Sequence, residues 1–474
     1  MSSPAENKSL SERLLLGTTR LASKTWPIAK RIFPETLEID DNRSLWVSQT
    51  PDYQPTSPLQ ENISADLVII GGGFTGTSTA YHFSRRYPEK RIVLLEAKTL
   101  ANGASGRNGG MMLNWMPSMY GYSPEMTRRI YQMTWAGIQA IIDIIQRHQL
   151  PVSYRLDGTL TAYTDSHRAE VAQEEAEFHQ QIGIPMQFLN ASALKQKLNL
   201  QSAYGAVIDP NSGQINGAQL VRALRPVLQE QGVEIYEQTP VLSIQEGSEL
   251  TLKTPNAEIK AKAIVLATNG YTGKLGYFQD ALFPLHSHVF ATAPLNPSQL
   301  ENLGWHGLAG YADDRDRIAY SSLTREGNIV FGGGSNQAYA YLFKNRTIDS
   351  DSPGFAKNAF NKLTQTMETY LPNSANLPIA RRWTGVLGIT LNRTPIIGVR
   401  GEHRNIYYAI GYCGHGVTLA NIAGQMLTDM YSNDDQQWRD FPFYQQPYAP
   451  IPPEPFRWIG YQMFTRLTGH SPRV

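Results

Sequence analysis

The chain has 474 residues, and 42 Lys and Arg against 41 Asp and Glu leave a net charge of +1; this length holds two lobes with substantial cores, and this charge gives no reason to expect nucleic acid or a strongly acidic partner. A single cysteine, Cys413, excludes an internal disulfide and points to a reducing compartment. Without Cys-x-x-Cys or a His-rich tract no structural metal is expected, and without an apolar run near the ~20 residues that span a bilayer the expectation is a cytoplasmic protein, peripheral to a membrane at most.

Residues 1–60 read as an N-terminal arm and an extended lead-in. In the arm, Ser9 caps a helix starting near Leu10, and Leu14, Leu15, Leu21, Trp26, Ile28, Ile32 and Phe33 supply apolar bulk. Arg13, Arg20, Lys24, Lys30 and Arg31 outnumber Glu6 and Glu12, and Pro27 and Pro34 break any single long helix. Three readings stand: an arm packed on the protein body, a basic amphipathic helix (residues 10–33) lying in a membrane interface, and a transit peptide. Pro51, Pro55 and Pro58 then mark Asp40 to Ile63 as an extended crossing.

Leu67 to Ile70 form an apolar run of the length of a strand buried on both faces. Gly71-x-Gly73-x-x-Gly76 follows at once, and Thr75 to Arg86 reads as a helix. Gly71 permits a tight turn, Gly73 lets backbone amides at Phe74 and Thr75 approach a pyrophosphate, and Gly76 lets helix and strand pack closely. The helix start supplies unpaired N–H groups and a positive dipole end. A second strand, Arg91 to Leu95, ends in Glu96 and Ala97, at the spacing where a carboxylate grips ribose hydroxyls. A dinucleotide is therefore expected here. Gly103 to Gly110 is a second glycine-rich segment, with Ser105, Arg107, Asn108, Gly109 and Gly110. Such bare backbone suits a large flat isoalloxazine ring better than a nicotinamide. Arg107 is either a cofactor contact or a brace reaching backbone carbonyls.

Ser123-Pro124-Glu125 starts a helix whose stripe from Met126 to Ile145 is core. Tyr154 to Thr164 reads as strand with an Asp157-Gly158 turn. Glu170 to Gln181 reads as a polar helix, Ser192 to Leu198 as a short one, and Asn216 to Gln231 as another. Short strands follow at Val233 to Tyr236, Val241 to Gln245 and Leu250 to Thr254. Ala263 to Ala267 is again wholly apolar, with Thr268-Asn269-Gly270 at its carboxyl end, where open α/β sheets hold ligands. Phe283 to Pro294 and Arg317 to Gly334 read as antiparallel strands, Phe355 to Leu371 as a helix, and Ile379 to Ile389 as more sheet. Asn405 to Ile410 is the last buried strand, and Gly411-Tyr412-Cys413-Gly414-His415-Gly416 opens the helix from Val417 to Tyr431. A Pro-rich tail ends in a short helix near Phe456 to Leu467.

The blocks Gly103 to Gly110, Ala267 to Thr272, Phe331 to Gly334 and Gly411 to Gly416, together with the first glycine unit, resemble the D-amino-acid-oxidase-like FAD family, the group of glycine oxidase, sarcosine oxidase and γ-glutamylputrescine oxidase. The resemblance runs from about Ser44 to Asp429. It implies an α/β fold: a Rossmann-like FAD-binding lobe (61–150, 215–280 and 393–440) with an inserted α+β substrate lobe (151–214 and 281–392) on a mostly antiparallel sheet, and a tail at 441–474. It implies FAD, bound non-covalently, with contacts from the glycine unit, Glu96, Ala97, the 105–110 segment, Val241, Thr268, Gly414, Gly416, Val417 and Thr418. It implies an oxidoreductase that takes a hydride from an amine or amino acid and passes electrons to oxygen or a quinone. His415, Tyr320 and His288 are the candidates for contact with the reacting groups, each with a structural alternative; His286, Tyr271 and Trp383 are further wall candidates. Cys413 reads as a small buried residue, away from the points where relatives attach flavin covalently. Ser322 stands where many relatives carry Arg and Thr418 where sarcosine-type members carry Lys. Arg317 and Arg393 remain as substitutes, so an α-amino acid is in doubt and a polyamine-like or secondary amine gains. The rivals are a membrane-surface flavin dehydrogenase and a non-catalytic FAD-binding module.

Overall fold

The computed structural model describes residues 42–116, 121–315, 317–347 and 357–468; the arm at 10–33, and every reading that rests on it, lies outside the described residues. In chain order the elements that position the site are β1 (Ile63–Ile70), α1 (Phe74–Arg86), β2 (Ile92–Leu95), α2 (Pro124–Arg147), β3 (Glu258–Leu266), β4 (Phe283–Thr292), β5 (Ala319–Leu323), β6 (Ile329–Gly333), β7 (Ile379–Ile389), β8 (Ile406–Ile410), α3 (Gly416–Tyr431) and α4 (Phe456–Thr468).

The first sheet has eight strands and a parallel centre. β1 pairs in parallel with β2 and β3, β3 with β8, and β2 with the strand Val233–Tyr236. The reason is legible in composition: Leu67 to Ile70, Ile92 to Leu95 and Ala263 to Leu266 are buried throughout, as a sheet covered on both faces requires. Leu67, Ile69 and Leu94 face a core shared with α1, α2 and α3, whereas Val68, Ile70 and Val93 face Leu250, Leu252 and Phe278. α1 follows β1 and α3 follows β8. Because these strands are parallel, both helices begin at the same edge of the sheet. They also pack closely on each other, since an added Cβ at Gly424 would lie 2.3 Å from Ser78 Oγ.

The second sheet has nine strands, antiparallel except for one parallel pair between Gly310–Asp313 and Thr159–Tyr163. β4 is its spine, pairing along its length with β7 and on the other edge with β6. Alternation divides its residues: Val289, Val330 and Trp383 join the core shared with the first sheet, while Phe290 and Phe331 pack with Phe360, Leu363 and Met367 of the helix Lys357–Tyr370.

Local readings were refined in several places. Tyr154 to Thr164 divides between two sheets, with Tyr154–Arg155 pairing Gly213–Ile215 and Thr159–Tyr163 entering the large sheet. Gly158, at φ +77°, makes the crossing instead of a hairpin turn. The lead-in contains a short helix, Leu45–Ser48, capped by Ser44 and carrying the fully buried Trp46. Fully buried Glu237 anchors the same lead-in, accepting from the Tyr53 hydroxyl at 2.8 Å and from the amides of Thr56 (2.7 Å) and Leu100 (2.6 Å).

Candidate functional site

The turn from β1 into α1 is backbone packed on backbone. Gly71 has φ +112°, and a Cβ there would meet the Ala267 carbonyl oxygen at 2.7 Å. A Cβ at Gly76 would lie 1.9 Å from the Gly71 carbonyl oxygen, so only glycine permits this approach of helix to turn. Gly73 occupies the N-cap position with no side chain to satisfy the first amides. The Phe74 amide instead donates to Ser105 Oγ at 2.9 Å. That hydroxyl keeps a proton to donate outward, so a phosphate at the helix end would find N–H groups and an O–H together. The side chain of Thr75 is spent elsewhere, on the Tyr412 hydroxyl at 2.8 Å.

Glu96 does more than the spacing suggests. Its Oε2 accepts from the Gly72 amide at 2.8 Å and its Oε1 from the Lys98 amide at 2.9 Å, so the carboxylate ties the glycine turn to the end of β2. Burial pushes this carboxyl up, and the Lys98 and Gly72 amides oppose that shift. Each oxygen retains lone-pair capacity for a ribose hydroxyl. Ala97 is exposed beside it, and the Thr239 amide donates to the Glu96 carbonyl, which brings the half-buried Val241 to the same edge. Thr268, beyond β3, bonds Thr272 through its hydroxyl at 2.8 Å.

The segment 103–110 is braced from within and wedged from outside. Buried Arg107 donates from Nε to the Asn102 carbonyl (2.8 Å) and from Nη1 to the carbonyls of Asn42 (2.9 Å) and Thr384 (3.2 Å). Its own carbonyl accepts from the Trp383 indole. Asn108 donates to the carbonyls of Ala104 and Ser105 and accepts from the Gly110 amide. Both side chains thus shape the loop. The glycines admit aromatic rings from the protein side: a Cβ at Gly109 would meet the Tyr320 ring at 2.7 Å, and one at Gly110 the Trp46 ring at 2.7 Å. Tyr320 is held between Gly109 and Gly332, its hydroxyl 3.2 Å from Ser287 Oγ, and burial pushes its pKa up to about 12. Gln214, opposite Met111 and beside Gly110, is 1 % exposed, and neither amide atom has a partner. A buried amide left unpaired is costly, so this wall suits a polar, flat group better than packed protein.

The turn after β8 closes the arrangement. Gly411, Cys413 and Gly414 take φ of +77°, +51° and +92°. Gly414 is exposed, with nothing within 4 Å of an added Cβ, so the start of α3 opens on free space. Gly416 and the buried Val417 and Thr418 form its first turn, and Thr418 donates to the Leu113 carbonyl at 3.0 Å. His415 is half-buried at the N-cap, its Nδ1 3.3 Å from the Cys413 carbonyl and its ring edge-on to Trp115 at 4.3 Å. The Cys413 sulfur lies 3.4 Å from the Thr390 amide and 3.2 Å from the Gly411 carbonyl, and burial pushes its thiol up. Such a sulfur is a poor nucleophile. Cys413→Ser should therefore leave flavin content unchanged, read as the ratio of visible to ultraviolet absorbance.

His288 is not brought to this cluster. It lies on the other face of β4, with Nδ1 2.7 Å from Thr384 Oγ1 and its ring against Phe360; burial pushes its pKa down to about 3. His286 shares that face, bonded to the Ala340 carbonyl. Arg317 donates to Asn336 Oδ1 and lies over the Phe464 ring. Arg393, by contrast, is exposed in the turn after β7, near enough to Cys413 for its charge to act on the thiol. Trp46, Trp115, Gln214 and Ser287 escaped the sequence reading; nothing in their spacing marks them, because they meet the site only through tertiary pairing. Among the described residues no group of three or more His, Cys, Asp or Glu side chains is placed to hold a metal.

Comparisons with known proteins bear on the family and the fold. Residues 66–430 match the model of a family described as FAD dependent oxidoreductase. Gamma-glutamylputrescine oxidoreductase of Escherichia coli (strain K12) is 27% identical over 416 residues, covering 86% of this chain and 93% of that protein. Glycine oxidase of Geobacillus kaustophilus is 21% identical over 80% of this chain and 96% of its own. The crystal structure of that glycine oxidase superposes with a TM-score of 0.67 at 18% identity, covering 81% of this chain and 99% of the other. The structure of L-proline dehydrogenase from P. horikoshii does so with a TM-score of 0.67 at 19% identity, covering 81% and 96%.

Proposed function

The chain belongs to the FAD-dependent oxidoreductase family, and we propose that it oxidises the C–N bond of an amine that lacks an α-carboxylate. The observation that carries the cofactor assignment is the junction of the α1 N-terminus, Ser105 and Glu96 around one glycine turn. Bound FAD would supply the hydride acceptor at N5. The substrate carbon gives up hydrogen with its bonding pair, the nitrogen lone pair closes the C=N bond, and water then splits the imine to a carbonyl compound and an amine or ammonia.

The chain's own groups bind and position. Amides of α1 and the Ser105 hydroxyl would hold the pyrophosphate, and Glu96 the ribose. The α3 N-terminus, opening at Gly414, favours negative charge on the edge of the ring it meets. Tyr320 and Trp383 keep water from the wall behind the 103–110 segment. No side chain need abstract a proton provided the amine arrives neutral. His415 is half-buried beside Trp115, at the entrance to the α3 turn, where it would meet substrate or the ring edge.

Support for the substrate class comes from where the polar groups are spent. Ser322 donates to the Gly109 carbonyl at 2.6 Å and Thr418 to the Leu113 carbonyl, so neither presents a cation at the two positions where relatives place one. Arg317 is engaged by Asn336 Oδ1 and by the Phe464 ring. Arg393 remains, exposed at the rim, where it suits a distant acidic group on a long amine better than a carboxylate on the reacting carbon. Relatives bearing the names gamma-glutamylputrescine oxidoreductase and glycine oxidase span both alternatives.

Mixing the protein without oxygen with polyamines, N-alkyl amines and α-amino acids, and following loss of flavin colour, tests the class. Polyamine-type or secondary amines should bleach the flavin fastest, and an α-amino acid that outpaces every amine would contradict the proposal. Adding air or a soluble quinone to the bleached protein then identifies the electron acceptor.

A further inference from the structure

α4 turns its apolar side outward. Phe456, Ile459, Met463, Phe464 and Leu467 are exposed to 67, 44, 58, 42 and 75%. Their spacing of three, four, one and three residues gathers them on one stripe of a helix. The opposite side carries the groups that fasten α4 to the protein. Arg457 donates to the carbonyls of Pro452 and Gln279, Trp458 meets Phe343 edge-on, and Tyr461 packs on Phe283 and Tyr341. An ordinary surface helix has the reverse order, with aliphatic groups inward and charges outward. Four large apolar side chains in one contiguous exposed stripe, with Phe464 at its margin against Arg317, mark an interaction surface.

Charge indicates what covers it. Arg457 and Arg466 are the only charged residues of α4. Exposed Lys344 and Arg346 stand on the neighbouring segment, which Glu454 ties to α4 by accepting from the Lys344 amide at 2.9 Å and the Trp458 amide at 3.1 Å. That carboxylate also accepts from the Tyr341 hydroxyl, so this acid is consumed internally. Among the described residues the exposed charges of α4 and of this segment are cationic. A second copy docked face to face would set Arg466, Lys344 and Arg346 against their own kind. The N-terminal arm is no better matched, since residues 10–33 carry Arg13, Arg20, Lys24, Lys30 and Arg31 against Glu12 alone. An anionic bilayer complements both features. Its acyl boundary takes the apolar stripe, and its headgroups take the basic groups beside it.

We propose that α4 docks on an anionic lipid surface, its stripe from Phe456 to Leu467 lying in the interface. This is a surface contact: among the described residues no helix is long and apolar enough to cross a membrane.

The test uses the full-length holoprotein and vesicles of phosphatidylcholine with or without phosphatidylglycerol. The protein should sediment with vesicles containing phosphatidylglycerol and far less with the neutral ones. Met463→Glu combined with Leu467→Glu should lower that binding at least about tenfold, with flavin content and melting temperature unchanged because both positions are exposed. Removing residues 1–35 should leave substantial binding. A protein that ignores anionic vesicles, a double variant that binds like the parent, or binding abolished by removing the arm alone would each overturn the proposal. So would a double variant that turns a dimer into a monomer, which would assign the stripe to a second copy. A fall in its melting temperature would assign the stripe to the chain itself.

Discussion

Gly76→Ala should give a protein that no longer retains flavin. The added methyl would stand 1.9 Å from the Gly71 carbonyl oxygen and 3.3 Å from Ile69, and the first obstacle is backbone in a turn already fixed at φ +112°. No rotamer relieves that contact, so α1 must withdraw from β1. Overpacking of this kind costs roughly 1–3 kcal/mol where side chains can yield, and more where they cannot. The same movement displaces the α1 amides that would hold the pyrophosphate and parts Phe74 from Ser105. Because α1 packs tightly on α3, the shift should also reach the turn at Gly414. The purified variant should be colourless or nearly so, with a lowered melting temperature that added FAD does not restore. A variant with one flavin per chain would show that this turn is not the cofactor's cradle.

Glu96→Ala is expected to weaken FAD binding by about two orders of magnitude or more. Two charge-assisted hydrogen bonds to ribose hydroxyls contribute on the order of 1.5–3 kcal/mol each, and every 1.4 kcal/mol is about tenfold in affinity. The structure adds a second cause, since the carboxylate also holds the Gly72 and Lys98 amides in place. Glu96→Gln keeps one acceptor oxygen and should fall between alanine and the parent. Titration of apoprotein with FAD reads the dissociation constant directly. An unchanged constant in the alanine variant would show that Glu96 does not face the ribose, while the rate of bleaching in protein that still holds flavin should change far less.

What the sequence disclosed was local. Leu67 to Glu96 is legible because strand, glycines, helix and acid are consecutive, and the contact of Gly76 with Gly71 and the bond from Gly72 to Glu96 both lie within 30 positions. The Gly411 to Gly416 turn reads the same way, as a second strand feeding a second helix. The wall of the site is another matter. Gly109 and Gly110 suggest bare backbone against a ring, yet on the protein side the rings they admit belong to Tyr320 and Trp46, more than 200 and 60 positions away respectively. Arg107 and Asn108 look like cofactor contacts by type, but their hydrogen bonds run to backbone carbonyls and amides that only the folded loop assembles. His288 drew interest through its chemistry, and its strand position leaves two faces open; only pairing with Thr384 and packing on Phe360 fix which one it takes. The outward stripe of α4 was equally hidden, since its periodicity says one side is apolar without saying which side meets the protein.

The central claim is that this chain is an FAD enzyme holding its flavin by contacts alone, and acid precipitation of the purified protein tests it most directly. The parent should be yellow, and after acid the colour should pass wholly to the supernatant as FAD. The lone Cys413, half-buried and pinned between Thr390 and Gly411, should leave no adduct behind. Colour that stays with the pellet would contradict non-covalent binding, and a colourless protein that FAD cannot reconstitute would contradict the account as a whole.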